Sequence, residues 1–314
     1  MNIKNYLVKT NFFSIIITSY NSSHYIDRTI KSVTKQNFKD YEIILVDDCS
    51  NDGTTDLVKK NYGNRIKIFS TKKNFGGPAM SRNIGINTSS GNWISFLDAD
   101  DFWFKNRLSS FNELIFSNPG FEVYCSNEIL LNKINKKKKI INHGPFSQNF
   151  FEDLLVKGNR LSPSASVVKK DFIIKNDILF DSSQKMNGVE DYDFWLNLSK
   201  NNAKFFFTSK ILNGYVIHDQ NISNNTTKHL KNTLNVIKKN FKYLEKKKYT
   251  ERIFNVKYSF SINHLFKKES FFQNFCKFLI LSVKNPIMCL KFIFKKIYEK
   301  IHLKKFIFNN WRKK

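Results

Sequence analysis

Residues 91–101 read GNWISFLDADD, an apolar run from Asn92 to Leu97 that ends abruptly in Asp98, Asp100 and Asp101. The run is nearly continuous in apolar character rather than alternating, which predicts a strand buried on both faces, as in a parallel sheet. Working outward, the same shape recurs upstream at Phe12 to Thr18 (FFSIIIT), Tyr41 to Val46 (YEIILV) and Arg65 to Phe69. Helix-like stretches lie between these runs, at about Tyr25 to Lys35, Thr54 to Asn61 and Pro78 to Asn87, with Gly53 and Gly76-Gly77 supplying turns. This β-α-β-α order predicts an α/β fold with a doubly wound, mostly parallel sheet flanked by helices. Such sheets bind ligands beyond the carboxyl ends of their strands.

Residues 120–224 are less regular. Strand-like runs lie at Phe121 to Ser126 and Lys204 to Thr208, and a helix-like segment spans Glu190 to Lys200. A Ser-Pro-Ser segment occupies Ser162 to Ser164, and the lysine run Lys136 to Lys139 reads as a solvated loop. From about Thr226 the composition shifts to Lys, Phe, Ile and Asn with few turn residues, which predicts a helical tail.

With 41% hydrophobic and 15% aromatic residues in 314, the chain can bury a substantial core, which excludes general disorder. The net charge of +26 sits mostly at the end, where residues 225–314 hold 23 lysines and arginines against four acids. Such a tail seeks a polyanion, either nucleic acid or an anionic membrane. Cys49, Cys125, Cys276 and Cys289 show no metal-binding spacing and read as reduced thiols. The apolar stretch Phe12 to Ile17 is too short for a secretory signal, and no run of uncharged apolar residues is long enough to predict a spanning helix.

Three carboxylates at one strand end repel each other unless a cation or donor groups neutralise them. Hard divalent ions such as Mg²⁺ or Mn²⁺ take oxygen ligands, commonly one or two carboxylates together with substrate phosphates. The second strand also ends in acids, Val46-Asp47-Asp48-Cys49-Ser50-Asn51-Asp52-Gly53, some of which serve as turn and cap residues. Farther on, Val189-Glu190-Asp191-Tyr-Asp-Phe-Trp195 supplies carboxylates suited to general base work, or simply an acidic first helical turn.

Four linked blocks then carry a resemblance. Ser14-Ile-Ile-Ile-Thr-Ser-Tyr-Asn21, Ile44-Leu-Val-Asp-Asp-Cys-Ser-Asn-Asp-Gly-Thr54, Asn74-Phe-Gly-Gly-Pro-Ala-Met-Ser-Arg-Asn83 and Gly91 to Asp101 resemble, in order and spacing, glycosyltransferase family 2, whose catalytic domain has the GT-A fold. The resemblance covers roughly residues 12–220. It implies a nucleotide-sugar-binding half at 1–110 and an acceptor-binding half at 111–224, while the composition and charge of 225–314 make that stretch a basic amphipathic helical tail. It also implies that Thr18 and Tyr20 line a base pocket with Tyr20 stacking on uracil, that Asp48 accepts from the base, and that Arg82 lies near the nucleotide. Asp98 would touch the ribose and Asp100 a Mg²⁺ or Mn²⁺ ion. Asp191 would be the base with Glu190 beside it, and His218, in Gly214-Tyr-Val-Ile-His218, a metal or phosphate ligand. The family commonly has Gly where Cys49 stands and Arg where Val216 stands.

The activity implied is inverting transfer of a sugar from a nucleotide-sugar, UDP-linked, to a glycan or lipid-linked glycan acceptor in bacterial surface polysaccharide or lipooligosaccharide assembly. Two rivals fit less well. A sugar-nucleotidyltransferase needs a glycine-rich phosphate loop with a basic residue after the first strand, and Thr18 to His24 (TSYNSSH) has neither. A nucleic-acid-binding protein would account for the charge alone. In Phe271 to Tyr298, Lys277, Lys284 and Lys291 recur every seven residues among Phe, Leu and Ile. This predicts an interfacial helix interrupted at Pro286 that, with Lys304 to Lys314 (KKFIFNNWRKK), lies on an anionic membrane at its cytoplasmic face.

Overall fold

Strand β1 (Phe13–Ser19) is buried along its whole length, and β2 (Tyr41–Asp47) and β4 (Trp93–Asp98) run parallel to it on either side. A short β3 (Lys67–Ser70) extends the parallel set beyond β2. The structure is a computed structural model that describes residues 12–144, 149–219, 221, 226–263 and 271–294. Among them the chain forms two compact units, 1–236 and 237–314.

In the first unit, α1 (Ile26–Thr34), α2 (Thr54–Tyr62) and α3 (Ala79–Thr88) are the crossovers that the parallel order requires. The β1–β4 side chains Ile15, Ile17, Leu45 and Leu97 share one buried cluster with Ile26, Ile30 and Val33 of α1 and Val58 of α2. On α3, Gly85 lies so close to β1 that an added Cβ would collide with the Ile16 side chain. That close approach fixes α3, and with it Arg82, against the sheet.

After β4 the sheet becomes mixed. The strand order is β3-β2-β1-β4-β8-β6-β9-β5, with β7 paired to β6. Here β5 is Phe102–Trp103, β6 Val123–Asn132, β7 Lys137–Ile141, β8 Ser166–Lys169 and β9 Phe205–Ile217. Helices α4 (Arg107–Ser117), α5 (Phe150–Lys157), α6 (Lys170–Lys175) and α7 (Glu190–Lys200) connect them, and α8 (Thr226–Lys239) follows β9. The lysine run expected to be a loop is instead mostly strand, because Lys137–Ile141 pairs antiparallel with Glu128–Asn132. Its lysines still face solvent, and charge on an outer strand discourages further strand pairing.

The second unit has its own small core. Phe254 and Tyr258 of α9 (Lys246–Asn263) pack with Phe278 and Leu281 of α10 (Phe271–Lys284) and with Met288, Cys289 and Phe292 of α11 (residues 286–294). The helix breaks at Asn285, and Pro286 opens the next one, where its missing N–H costs nothing. Away from that core, Leu279, Ile280, Val283, Ile287, Leu290, Ile293 and Phe294 are exposed. No helix among the described residues is long and apolar enough to cross a membrane. The closing stretch Lys304 to Lys314 lies outside the described residues.

Candidate active site

The parallel register brings the ends of three strands together, pairing Thr18 with both Val46 and Asp98, and Ser19 with Asp47. The loops leaving β1 and β2 then zip onto each other. Ser22 N–H donates to Thr54 Oγ1 at 2.9 Å, Ser23 N–H to Asp52 Oδ2 at 2.9 Å and Asn51 N–H to Asn21 Oδ1 at 3.0 Å. Asp47 organises this edge by accepting from the Ser19 and Ser50 hydroxyls at 2.7 and 2.5 Å and from Ser50 N–H at 2.8 Å. Burial opposes ionisation of Asp52, but its Thr54 and Ser23 donors outweigh burial and hold its carboxyl below the usual range.

Tyr20 stands 51% exposed at the rim of this edge. Asp48 is buried, with both oxygens accepting from Phe75 N–H at 3.2 and 3.0 Å and one from the Thr71 hydroxyl at 3.0 Å. A carboxylate has about four lone-pair sites, so Asp48 retains capacity for one more donor. Cys49, next in the chain, has φ +64°, the left-handed conformation that accounts for glycine being common there.

Arg82 is buried and forks between two carboxylates. Its Nη2 donates to Asp98 Oδ1 at 2.8 Å and its Nη1 to Glu190 Oε1 at 2.9 Å, while the guanidinium lies 5.2 Å over the Phe180 ring. Burial alone would lower its pKa, but the two carboxylates outweigh burial and raise it. Asp98 also accepts from the Thr18 hydroxyl at 3.4 Å. On the other side, Glu190 Oε2 accepts from Gly188 N–H at 2.7 Å, so both Glu190 oxygens are engaged. Asp191 differs. Burial, then the adjacent Glu190 carboxylate, pushes its carboxyl up to about 7 against the opposing pull of Arg82.

A second cluster forms around Asp100. Its Oδ2 lies 2.8 Å from His218 Nε2 and accepts from Asn221 Nδ2 at 3.2 Å, and Arg28 donates to its backbone carbonyl. The His218 ring stacks on Tyr25 at 4.6 Å, and Lys133 Nζ lies 5.4 Å from the Tyr25 centroid. Burial, then Asp98, raises the Asp100 carboxyl, and burial raises that of fully buried Asp101 further. Among the described residues no group of three or more His, Cys, Asp or Glu side chains gathers around one point. One carboxylate and one imidazole nevertheless fit a divalent ion that draws its other ligands from substrate phosphates and water.

Thr18, Asp98, Arg82 and Glu190 thus form one bonded chain with Asp191 at its end. Asp100 and His218 form the second group, whereas Tyr20 and Asp48 lie on the loops that leave β1 and β2. Val216 is fully buried and its N–H donates to Asp101 at 3.0 Å, so its side chain lies within the core. Sequence reasoning missed Tyr25, Arg28, Asn221 and Asn159. The last donates to Asp191 Oδ2 at 2.8 Å, and no local pattern marks it.

The chain is similar to known proteins. The family described as Glycosyl transferase family 2 matches residues 14–170. The chain is 30% identical over 225 residues to the UDP-Glc:alpha-D-GlcNAc-diphosphoundecaprenol beta-1,3-glucosyltransferase WfgD of Escherichia coli, covering 71% of this chain and 84% of that one. It is 28% identical over 235 residues to the putative teichuronic acid biosynthesis glycosyltransferase TuaG of Bacillus subtilis, covering 70% and 84%. The crystal structure of S. aureus TarS 1–349 in complex with UDP superposes with a TM-score of 0.56 at 22% identity, covering 82% of this chain and 73% of that one, a likeness of fold.

Proposed function

The chain belongs to glycosyltransferase family 2, and from that premise we propose that it moves a sugar from a UDP-sugar to an acceptor hydroxyl with inversion, during assembly of a bacterial surface polysaccharide or lipooligosaccharide. The observation that carries this reading is the buried Arg82 fork, which ties Asp98 on the strand-end side to Glu190, the neighbour of Asp191. Two half-sites are thereby held in one frame, as a reaction between two bound substrates needs.

On this reading Tyr20 stacks on the base, Asp48 accepts its N–H and Thr18 and Asp98 line the ribose. Asp191 serves as base in preference to Glu190, which is ion-paired with the buried Arg82, while among the described residues Asp191 is bonded only by neutral donors. The acceptor oxygen forms its bond to the anomeric carbon as the bond from that carbon to the diphosphate breaks. The hydroxyl proton passes to Asp191 and UDP leaves with the bonding pair. Direct displacement from the opposite face makes an α-linked donor into a β-linked product. Asp100 and His218 would hold a Mg²⁺ or Mn²⁺ ion, which neutralises charge on the departing diphosphate when bound.

The acceptor would be a glycan or lipid-linked glycan, in keeping with the diphosphoundecaprenol-linked substrate in the name of the Escherichia coli relative. The second unit supports a peripheral location at the cytoplasmic face of the membrane. Its exposed row from Leu279 to Phe294 is interspersed with exposed Lys284 and Lys291, an apolar face with cations for anionic headgroups. Co-sedimentation of the full chain with anionic vesicles at low salt tests this, and failure to pellet removes it. The donor site is tested by titrating UDP with Mn²⁺ into the parent and Asp100→Ala. The variant should lose metal-dependent binding, and unchanged affinity would displace Asp100 from this role.

A further inference from the structure

The carboxylate of Asp191 is held from outside its own helix. Asn159 Nδ2 donates to Asp191 Oδ2 at 2.8 Å, while Asn159 Oδ1 accepts from Leu161 N–H at 3.2 Å. The second bond settles the orientation of the amide, because a flipped Asn159 would turn its NH₂ toward the Leu161 donor and its oxygen toward a carboxylate.

The backbone carrying Asn159 is anchored on both sides. Helix α5 begins at Asn149, whose side chain accepts from Glu152 N–H at 3.1 Å. It ends at Gly158, which has φ +94° and donates its N–H to the Leu154 carbonyl at 2.8 Å. The Tyr192 hydroxyl donates to that same carbonyl at 2.7 Å, and Tyr192 follows Asp191 directly. A single carbonyl therefore joins the end of α5 to the start of α7, so that Asn159 meets Asp191 as part of a docked helix pair.

Resting on the assignment of Asp191 as base, we infer that Asn159 is a positioning residue that fixes the Asp191 carboxylate through Oδ2, while Oδ1 accepts from Tyr192 N–H at 2.7 Å, and that the lone pairs left on the two oxygens receive the acceptor proton. A general base acts only within hydrogen-bond reach, so fixing the carboxylate plane bears directly on rate. The charges around Asp191 frame the second effect. Glu190 on the same helix repels its anion and Arg82 on α3 attracts it. On α5, Asp153 and Lys157 pair with each other at 2.7 Å, and on α8 His229 Nδ1 lies 3.1 Å from the Gly188 carbonyl. Asn159 adds a neutral donor that favours the ionised base without cancelling its charge, and burial and Glu190 still lead.

The test uses the full chain with Asn159→Ala and Asn159→Ser, beside Asp191→Asn. Carboxyl-labelled aspartate NMR follows the Asp191 resonance, identified by its loss in Asp191→Asn. Turnover is read as UDP release from UDP-glucose with GlcNAc-diphosphoundecaprenol as acceptor. In Asn159→Ala the Asp191 midpoint should rise by roughly one pH unit, the size of one hydrogen bond to a carboxylate, and the acidic limb of turnover should rise with it. UDP affinity should stay at the parental value, and the serine variant, which keeps a donor, should fall between parent and alanine. An unmoved midpoint in a folded Asn159→Ala overturns the inference whatever the turnover. Full turnover by Asp191→Asn instead removes the base assignment itself, which is a distinguishable result.

Discussion

The end of β2 and the loop after it carry Asp47, Asp48 and Asp52, and the first turn of α7 carries Glu190, Asp191 and Asp193. As sequence, VDDCSNDG and VEDYD are two acidic clusters next to apolar runs. In the fold they diverge. The acids of the first loop are filled by hydroxyl and backbone donors from the loops around them, so they hold shape and present one partly engaged carboxylate, Asp48. In the second cluster Glu190 is ion-paired with buried Arg82, whereas among the described residues Asp191 takes only the neutral donors Tyr192 N–H and Asn159. Burial and the Glu190 charge then lift Asp191 to about 7. What separates the acids of the binding edge from the one poised to take a proton is burial and the charge of the groups packed beside them.

The sharpest way to break this contrast is Asp191→Asn. The amide keeps the shape and loses the basicity, so turnover should fall by about 10² to 10⁴ while UDP affinity holds. Asp47→Asn, by contrast, should disturb UDP binding through the loop geometry and leave the pH profile of turnover where it was. Turnover that survives in Asp191→Asn would place the two clusters in the same class.

How much of this was legible in the sequence follows from the same contrast. The parallel strands could be read because burial on both faces leaves an unmistakable apolar run, and the clustering of Thr18, Asp48 and Asp98 follows from parallel register at strand ends. The second half offered no such rule. The bonds of Arg82 run to Asp98 and to Glu190, the latter 108 residues away, a link no local pattern announces. Asn159 sits in a turn with no pattern of its own. The lysine run looked like a loop because exposed strands at a sheet margin carry the same composition as solvated turns.

Arg82→Met would sharpen the comparison by cutting the link between its two sides. Two carboxylates would lose their buried cation, and removing one partner of a buried pair costs about 3 to 5 kcal/mol. Urea unfolding should register a loss of that order. The double variant Arg82→Met, Glu190→Gln should recover part of it, since the buried charge left behind is then neutral. A loss below about 1 kcal/mol would mean that the fork contributes no more than a surface pair does.

Asp191 also gives the fold a pH signature. Its folded pKa of about 7 lies above its unfolded value of 3.8, so the folded chain keeps a proton that the unfolded chain releases. The stabilisation from this group is fully present below its unfolded pKa and is lost as pH rises through about 7. Asp191→Asn cannot pay that penalty, so it should gain on the parent between acid and neutral pH, by on the order of 1 kcal/mol or more. Parallel unfolding curves for the two proteins at pH 5 and pH 8 measure it, and a constant difference would deny the raised pKa.

The smallest effect tests whether the first loop is purely a matter of geometry. Cys49 is exposed with φ +64°, and a side chain with a Cβ in that region costs roughly 1 to 2 kcal/mol per residue relative to the right-handed form. Glycine escapes that cost but loses about 0.5 to 1 kcal/mol more backbone entropy on folding. The two terms nearly offset, so Cys49→Gly should stabilise by a few tenths of a kcal/mol to about 1 kcal/mol. Because Asp48 is held by Phe75 and Thr71 rather than by Cys49, UDP affinity should be unchanged. Cys49→Val, whose branched side chain suits a positive φ least, should move stability the opposite way. A glycine variant that is less stable, or that binds UDP more weakly, would show that the thiol makes a contact the loop depends on. The acidic edge after β2 would then be chemistry as well as scaffold.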